Sequence, residues 1–198
     1  VENVNEERNA LVRVRYKKFN DSLILGPWIE LALLTLITDG KKYVAHFVAR
    51  EASKKDGFGC TFELKGTTNS ERVKSAREIV SCYEGMQRAA SNGPIPYFER
   101  ASHELHKANG ASGSVVKKLD KDLEYSAATN YFYGDVDPES IFEESATPQD
   151  YINLGESPVD PPIARAKLFA EHIWTKFETT TDNYEPILSA KEEERETE

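Results

Sequence analysis

The stretch Trp28 to Arg50 reads WIELALLTLITDGKKYVAHFVAR. Two runs rich in apolar and β-forming residues flank the Asp39-Gly40 pair, a strong short-range signal for a β-hairpin. Gly40 accepts positive φ without a Cβ penalty, and Asp39 tolerates it better than most residues, as a type I′ turn requires. Closing the chain there sets Leu36 opposite Tyr43, Leu34 opposite Ala45 and Leu33 opposite His46. Both faces of the ribbon are largely apolar, which predicts a strand pair inside a sheet, covered fully on one side and partly on the other.

Upstream, Leu11 to Phe19 alternates, with Val12, Val14 and Tyr16 on one face and Arg13, Arg15 and Lys17 on the other. That pattern predicts a half-buried strand with a basic outer stripe guarding a sheet edge. Asn20 to Pro27 reads as a turn. Downstream, Glu51 to Gly57 is a polar loop, and Phe58 to Lys65 alternates again with Phe58, Cys60, Phe62 and Leu64 inward. Thr68 with Glu71 makes a capping box that opens a helix over residues 69–90, with Val73, Ala76, Val80 and Tyr83 on its apolar stripe. Asn92-Gly93-Pro94 stops it.

The signals thin after that helix. Tyr97 to Asn109 reads as a short helix stopped by Gly110, Val115 to Tyr125 as another, and Asn130-Tyr131-Phe132-Tyr133 as an aromatic cluster without an assigned form. Residues 135–160 hold eight acidic side chains and no Lys or Arg, interrupted by Pro138, Pro148, Pro158 and Gly155. This composition predicts an extended connector, with Ile141-Phe142 and Tyr151-Ile152 as docking points. Pro161-Pro162 then open an amphipathic helix whose stripe is Ile163, Ala166, Phe169, Ala170, Ile173, Trp174 and Phe177. Folded back on the domain, that helix buries Phe169, Ile173, Trp174 and Phe177 together, because four such residues exposed would exceed what soluble monomers tolerate.

The expected fold is therefore α+β. A largely antiparallel sheet of about four strands is centred on the hairpin 28–50 and packed by helices 69–90 and 162–178. The expected division is a core over 10–134, an acidic connector over 135–161, the helix over 162–178 and a charged tail over 179–198.

With 198 residues, a net charge of −9 and a pI near 5.1, the chain does not suggest nucleic-acid binding through a generally basic surface. No apolar run approaches the roughly 18 residues of a membrane span. Cys60 and Cys82 fit no metal-ligand spacing and read as buried thiols in an intracellular chain, with a disulfide as the alternative.

Three groups of residues bear on chemistry. Glu63 and Lys65 lie two apart on a strand and so share a face, where a carboxylate holds a divalent metal and an ammonium stabilises phosphate. Glu63-Leu64-Lys65 resembles the second half of the PD-(D/E)xK nuclease signature. That family also carries an earlier Asp on a neighbouring strand; the earlier Asp with usable spacing here is Asp39, in the expected turn. His103 and His106, three apart, share a helix face suited to zinc, without the HExxH spacing of zinc proteases. His46 stands alone on a mostly apolar strand face. No Ser-His-Asp order, P-loop, GxGxxG or CxxC pair occurs.

These readings favour a non-enzymatic protein-interaction or assembly module without a cofactor. Its contacts with another protein or a second copy would come from Phe142, Tyr151, Phe169, Trp174 and Phe177. Neither nucleic acid nor membrane is an expected partner. The alternative is a metal-dependent phosphodiesterase or nuclease using Glu63 and Lys65 with Mg²⁺ or Mn²⁺, and His103 with His106 form a further alternative metal pair.

Overall fold

The computed structural model describes residues 3–5, 9–18, 21–50, 57–108 and 112–187. Five strands form one sheet: β1 (Asn3–Asn5), β2 (Ala10–Lys18), β3 (Val44–Arg50), β4 (Gly57–Leu64) and β5 (Thr181–Ile187), in the order β1-β2-β3-β4-β5. The β1–β2, β3–β4 and β4–β5 pairings are antiparallel, while β2–β3 is parallel. The fold is α+β with a largely antiparallel sheet. The polar loop read over 51–57 lies outside the described residues up to position 56, and the charged stretch Lys191 to Glu198 lies outside them entirely.

The hairpin expected over 28–50 does not form. Leu25–Ile37 is an α-helix, α1, which connects the parallel strands β2 and β3. Parallel neighbours need such a crossover, which a two-residue turn cannot supply. Trp28, Leu31, Ala32 and Thr35 are buried, following the i, i+3, i+4, i+7 spacing of one helix face, whereas Leu33 and Ile37 are 49% and 81% exposed. The buried Thr35 hydroxyl donates to the Leu31 carbonyl at 2.8 Å, one turn back. Because the run is apolar all round, periodicity does not separate helix from strand; its length and Pro27 in the first turn favour the helix. Asp39 and Gly40 do take positive φ, at 52° and 80°, but as a helix stop. Gly40 N–H donates to the Thr35 carbonyl at 2.8 Å, and a Cβ on Gly40 would meet the Asn69 carbonyl oxygen at 2.3 Å.

The chain divides into two compact units, Val1–Val80 with Phe177–Glu198, and Ser81–Lys176. In the first, α1 lies against β2, β3 and β4. The inward face of the sheet is Leu11 on β2, Ala45, Phe47 and Ala49 on β3, and Cys60, Phe62 and Leu64 on β4. The alternation read for β4 is therefore the one formed. For β2 the faces are exchanged: Leu11 is buried and Arg13 pairs with Glu30 of α1, while Val14 is exposed. The crossover helix decides this, since Glu30 gives the inward-facing guanidinium a partner. Phe177 packs edge-on against Trp28 at 5.6 Å and Phe62 at 5.8 Å between ring centroids. Part of the stretch expected as a tail is β5, whose Thr, Tyr and Ile suit a strand and whose Pro186 is tolerated because β5 is an edge.

Helix α2 (Asn69–Ser91) opens on the expected capping box: Glu71 N–H donates to the Thr68 hydroxyl at 3.2 Å, and the Glu71 carboxylate accepts from Thr68 N–H at 3.0 Å. One turn in, Arg72 is buried. Its Nε donates to Gly40 O at 2.8 Å and its Nη1 to Gly66 O and Thr67 O, both at 3.1 Å, so one guanidinium satisfies three loop carbonyls.

The second unit is helical. It holds α3 (Ala101–Ala108), α4 (Gly113–Tyr125), α5 (Ala127–Tyr133), α6 (Pro138–Glu143), α7 (Pro148–Leu154) and most of α8 (Arg165–Thr180). Its core gathers Phe98, Leu105, Val115, Leu119, Ile141, Phe142, Ala166 and Ala170. The stretch expected as an extended connector thus carries α6 and α7. Pro138 and Pro148 stand in their first turns, where the missing N–H costs nothing, and Thr147 and Asp150 form a capping box. Gly85 of α2 permits a close approach, since a Cβ there would lie 3.2 Å from the Leu154 Cα. Of the apolar stripe read for the final helix, Ala166, Phe169, Ala170, Ile173, Trp174 and Phe177 are buried in α8, while Ile163 precedes the helix and is half-buried.

Candidate functional site

Few of the residues singled out from the sequence converge. Glu63 pairs with Lys42 at 2.8 Å, Lys65 is exposed, and the residue opposite Glu63 on β5 is Asp182. Lys65 and Asp182 line a shallow polar cleft with Thr67, Lys74 and Glu78. Among the described residues no group of three or more His, Cys, Asp or Glu is placed to hold a metal ion. His103 lies face to face with Trp174, ring centroids 4.0 Å apart and 33° between planes, and His106 is half-buried. His46 is half-buried on β3. Phe142, Tyr151, Phe169, Trp174 and Phe177, expected as partner contacts, are all buried within the chain itself.

A histidine cluster that the sequence order conceals joins His172 to Glu156 and Cys82. His172 Nδ1 lies 2.8 Å from Glu156 Oε1, its Nε2 lies 3.4 Å from the Cys82 carbonyl, and the Cys82 thiol donates to His172 O at 3.6 Å. Both imidazole nitrogens are engaged. Burial pushes the Cys82 thiol up to about 12 and the Cys60 thiol up to about 11, so neither supplies a thiolate near neutral pH. Both cysteines are free. The cluster ties helices together.

The surface that remains is built around α5. Ser126 ends α4 and caps α5: its extended backbone breaks the helix, and its side chain accepts from Thr129 N–H at 3.2 Å. The seven residues of α5, AATNYFY, include none that is buried. Tyr133 anchors the helix edge-on to Phe98 at 5.3 Å. Tyr131 and Phe132, in contact at 5.0 Å, are 83% and 53% exposed. Along the chain, exposed Tyr125 and Val136 continue this apolar strip on either side.

Phe132 also lines a cavity of about 470 Å³. One wall is the loop after α2, with Pro94, Ile95 and Phe98; the other is α5, with Thr129, Phe132 and Tyr133. The Gly93-Pro94-Ile95-Pro96 run cannot continue the helix, and its first three residues line the cavity. No charged side chain lines the cavity among the described residues. Tyr97 and Tyr133 also border it. Their hydroxyl oxygens are buried without a hydrogen-bond partner among the described residues, and desolvation raises both phenols above the ordinary tyrosine range. Such a volume, mostly apolar with a few hydroxyls, accommodates a bulky side chain or a small organic group.

At one end of this wall, Asp122 of α4 accepts from the N–H groups of Arg100 and Ala101 at 2.8 and 3.0 Å, capping α3 from a distance. Burial raises its carboxyl above the ordinary range despite those donors. Arg100 in turn stands over the Tyr125 ring at 5.4 Å. The aromatic cluster at 130–133 was visible in the sequence, but a seven-residue helix is too short for periodicity to show which face it exposes. No family model, curated protein or solved structure matches this chain.

Proposed function

We propose that this chain is a non-enzymatic protein-interaction module that docks a partner segment on the exposed face of α5. The observation that carries the reading is the pair Tyr131 and Phe132, exposed on a helix with no buried residue, with Phe132 lining a preformed, mostly apolar cavity. Aromatic side chains dominate binding hot spots because they bury a large apolar area at little rotamer cost. Covering one such ring contributes about 1.5–3 kcal/mol on the transfer principle. Among the described residues the other exposed apolar side chains are mainly aliphatic, such as Leu33 and Ile37 of α1 and the neighbouring Val14 and Val48 of the sheet.

The reading also fits where the candidate chemistry went. The cysteine thiols are buried, His172 is fully engaged, and Glu63 is neutralised by Lys42. The decisive experiment selects peptide ligands against the intact protein from a random displayed library. It then measures each selected peptide on the Tyr131→Ser/Phe132→Ser double variant. Because Tyr131 and Phe132 are themselves exposed, the double variant should keep the wild-type unfolding midpoint while losing most of the selected ligands. Equal binding of those ligands to both proteins refutes the assignment.

A further inference from the structure

We infer that the segment taken by the α5 groove is cationic, an amphipathic stretch with apolar anchors interleaved with lysine or arginine. The inference rests on the docking role proposed above and names the partner's chemistry. From Asp122 to Ala164 the chain has ten acidic residues and no lysine or arginine. Some of those carboxylates are used internally: Asp122 by Arg100, Asp150 and Glu144 by Arg165, and Glu156 by His172. Asp135, Asp137 and Glu139 are exposed and form no ion pair among the described residues.

These three follow α5 directly. Asp135 is three residues beyond Phe132, in the turn where Gly134 N–H donates to Asn130 O at 2.7 Å and Val136 N–H to Tyr133 O at 3.1 Å. Glu124, also exposed, precedes Tyr125 at the other end of the strip. Exposed carboxylates without an ion pair thus flank the aromatic helix on both sides along the chain, and the rings themselves attract cations through their negative faces.

The same charges argue against other occupants. A second copy docking through the same face would bring the same acidic residues against these, and like charges across an interface oppose association. The chain's own residues 191–198 carry five glutamates against one lysine and one arginine. A nucleic acid meets repulsion, and a neutral proline-rich segment leaves the rim unpaired.

The test titrates the intact protein with three designed peptides that share one amphipathic sequence and differ only in carrying Lys, Gln or Glu at every polar position, read by fluorescence anisotropy. At low salt the Lys peptide should bind at least about tenfold tighter than the Gln peptide and the Glu peptide weakest, the gap closing as salt screens the rim. An Asp135→Asn/Asp137→Asn/Glu139→Gln variant should bring the Lys peptide close to the Gln peptide and leave the Gln peptide unchanged. Tyr131→Ser/Phe132→Ser should weaken both.

Equal affinity of the Lys and Gln peptides overturns the cationic inference. So does a Lys preference that the rim variant leaves intact, since net charge alone then explains it. In either case the docking role survives only if the Gln peptide still requires Tyr131 and Phe132. Binding indifferent to those two rings, or no binding by any of the peptides, overturns both.

Discussion

Leu31 and Leu33 separate the helix from the hairpin more sharply than any other pair, because they are chemically identical and two residues apart. On a strand they share a face and a similar environment. On α1 they point in directions about 200° apart, and the structure leaves Leu31 with no exposed surface while Leu33 is 49% exposed. Leu31→Ala deletes a side chain packed between α1 and the sheet, and the transfer and cavity terms together cost about 2–5 kcal/mol. Leu33→Ala removes surface that is half in water already and gains slightly in helix propensity, so its cost is under about 1 kcal/mol. Urea unfolding followed by far-UV circular dichroism resolves the difference. With a slope of about 2 kcal/mol/M, Leu31→Ala lowers the midpoint by about 1–2 M and Leu33→Ala leaves it nearly unmoved. Equal losses for the two variants would refute the helix and restore the two-strand reading.

Arg72→Lys keeps the charge but loses the planar fork that reaches three carbonyls at once, and should lower stability by about 2–3 kcal/mol in the same assay. Hydrogen bonds from Thr68 N–H, the Thr67 hydroxyl and Thr67 N–H hold the Glu71 carboxyl down at about 2, below its ordinary 4.5. A carboxyl lowered on folding stabilises the native state above its unfolded pKa and loses that contribution as pH falls from 4.5 towards about 2. The gap in melting temperature between wild type and Glu71→Gln should therefore be full at pH 7 and vanish near pH 2. Trp174→Ala opens a cavity beside His103 and should cost about 3–5 kcal/mol without altering the mass in solution. A stable Trp174→Ala protein with changed association would mean that the ring faces a partner instead.

What the sequence made legible follows from how strictly one face was patterned. Thr68 and Glu71 announce α2 because the capping box is a local exchange of hydrogen bonds that needs nothing from the rest of the chain. Cys60, Phe62 and Leu64 alternate with polar residues, so only a half-buried strand fits β4, and the stripe of α8 has only one apolar side. The run over residues 28–37 lacked that contrast, and Asp39-Gly40 carried a true message about positive φ that serves a helix end as well as a hairpin. The prolines at 138 and 148 misled in a similar way. Proline breaks a helix interior but favours a first turn, and Thr147-Pro148-Gln149-Asp150 is an N-terminal signature inside a segment whose composition suggested a connector. The exposed groove was not legible, because it depends on which aromatic residues the two cores leave over.

That remainder is the physical argument for function. Phe142, Tyr151, Phe169, Trp174 and Phe177 have the composition of a docking surface, yet each is buried in the chain. Successive side chains of α5 are turned about 100° from one another, so the edge-on contact of Tyr133 with Phe98 leaves Tyr131 and Phe132 on other sides of the helix, where both are exposed. A seven-residue helix with no buried side chain gains little from intrinsic propensity and depends on the Ser126 cap and that one aromatic contact. It is therefore an element whose side chains add little to the stability of the fold and most of whose apolar surface is turned to water. Segments of that kind break the agreement between local pattern and core that folding alone rewards, and that break is what the proposed docking role rests on.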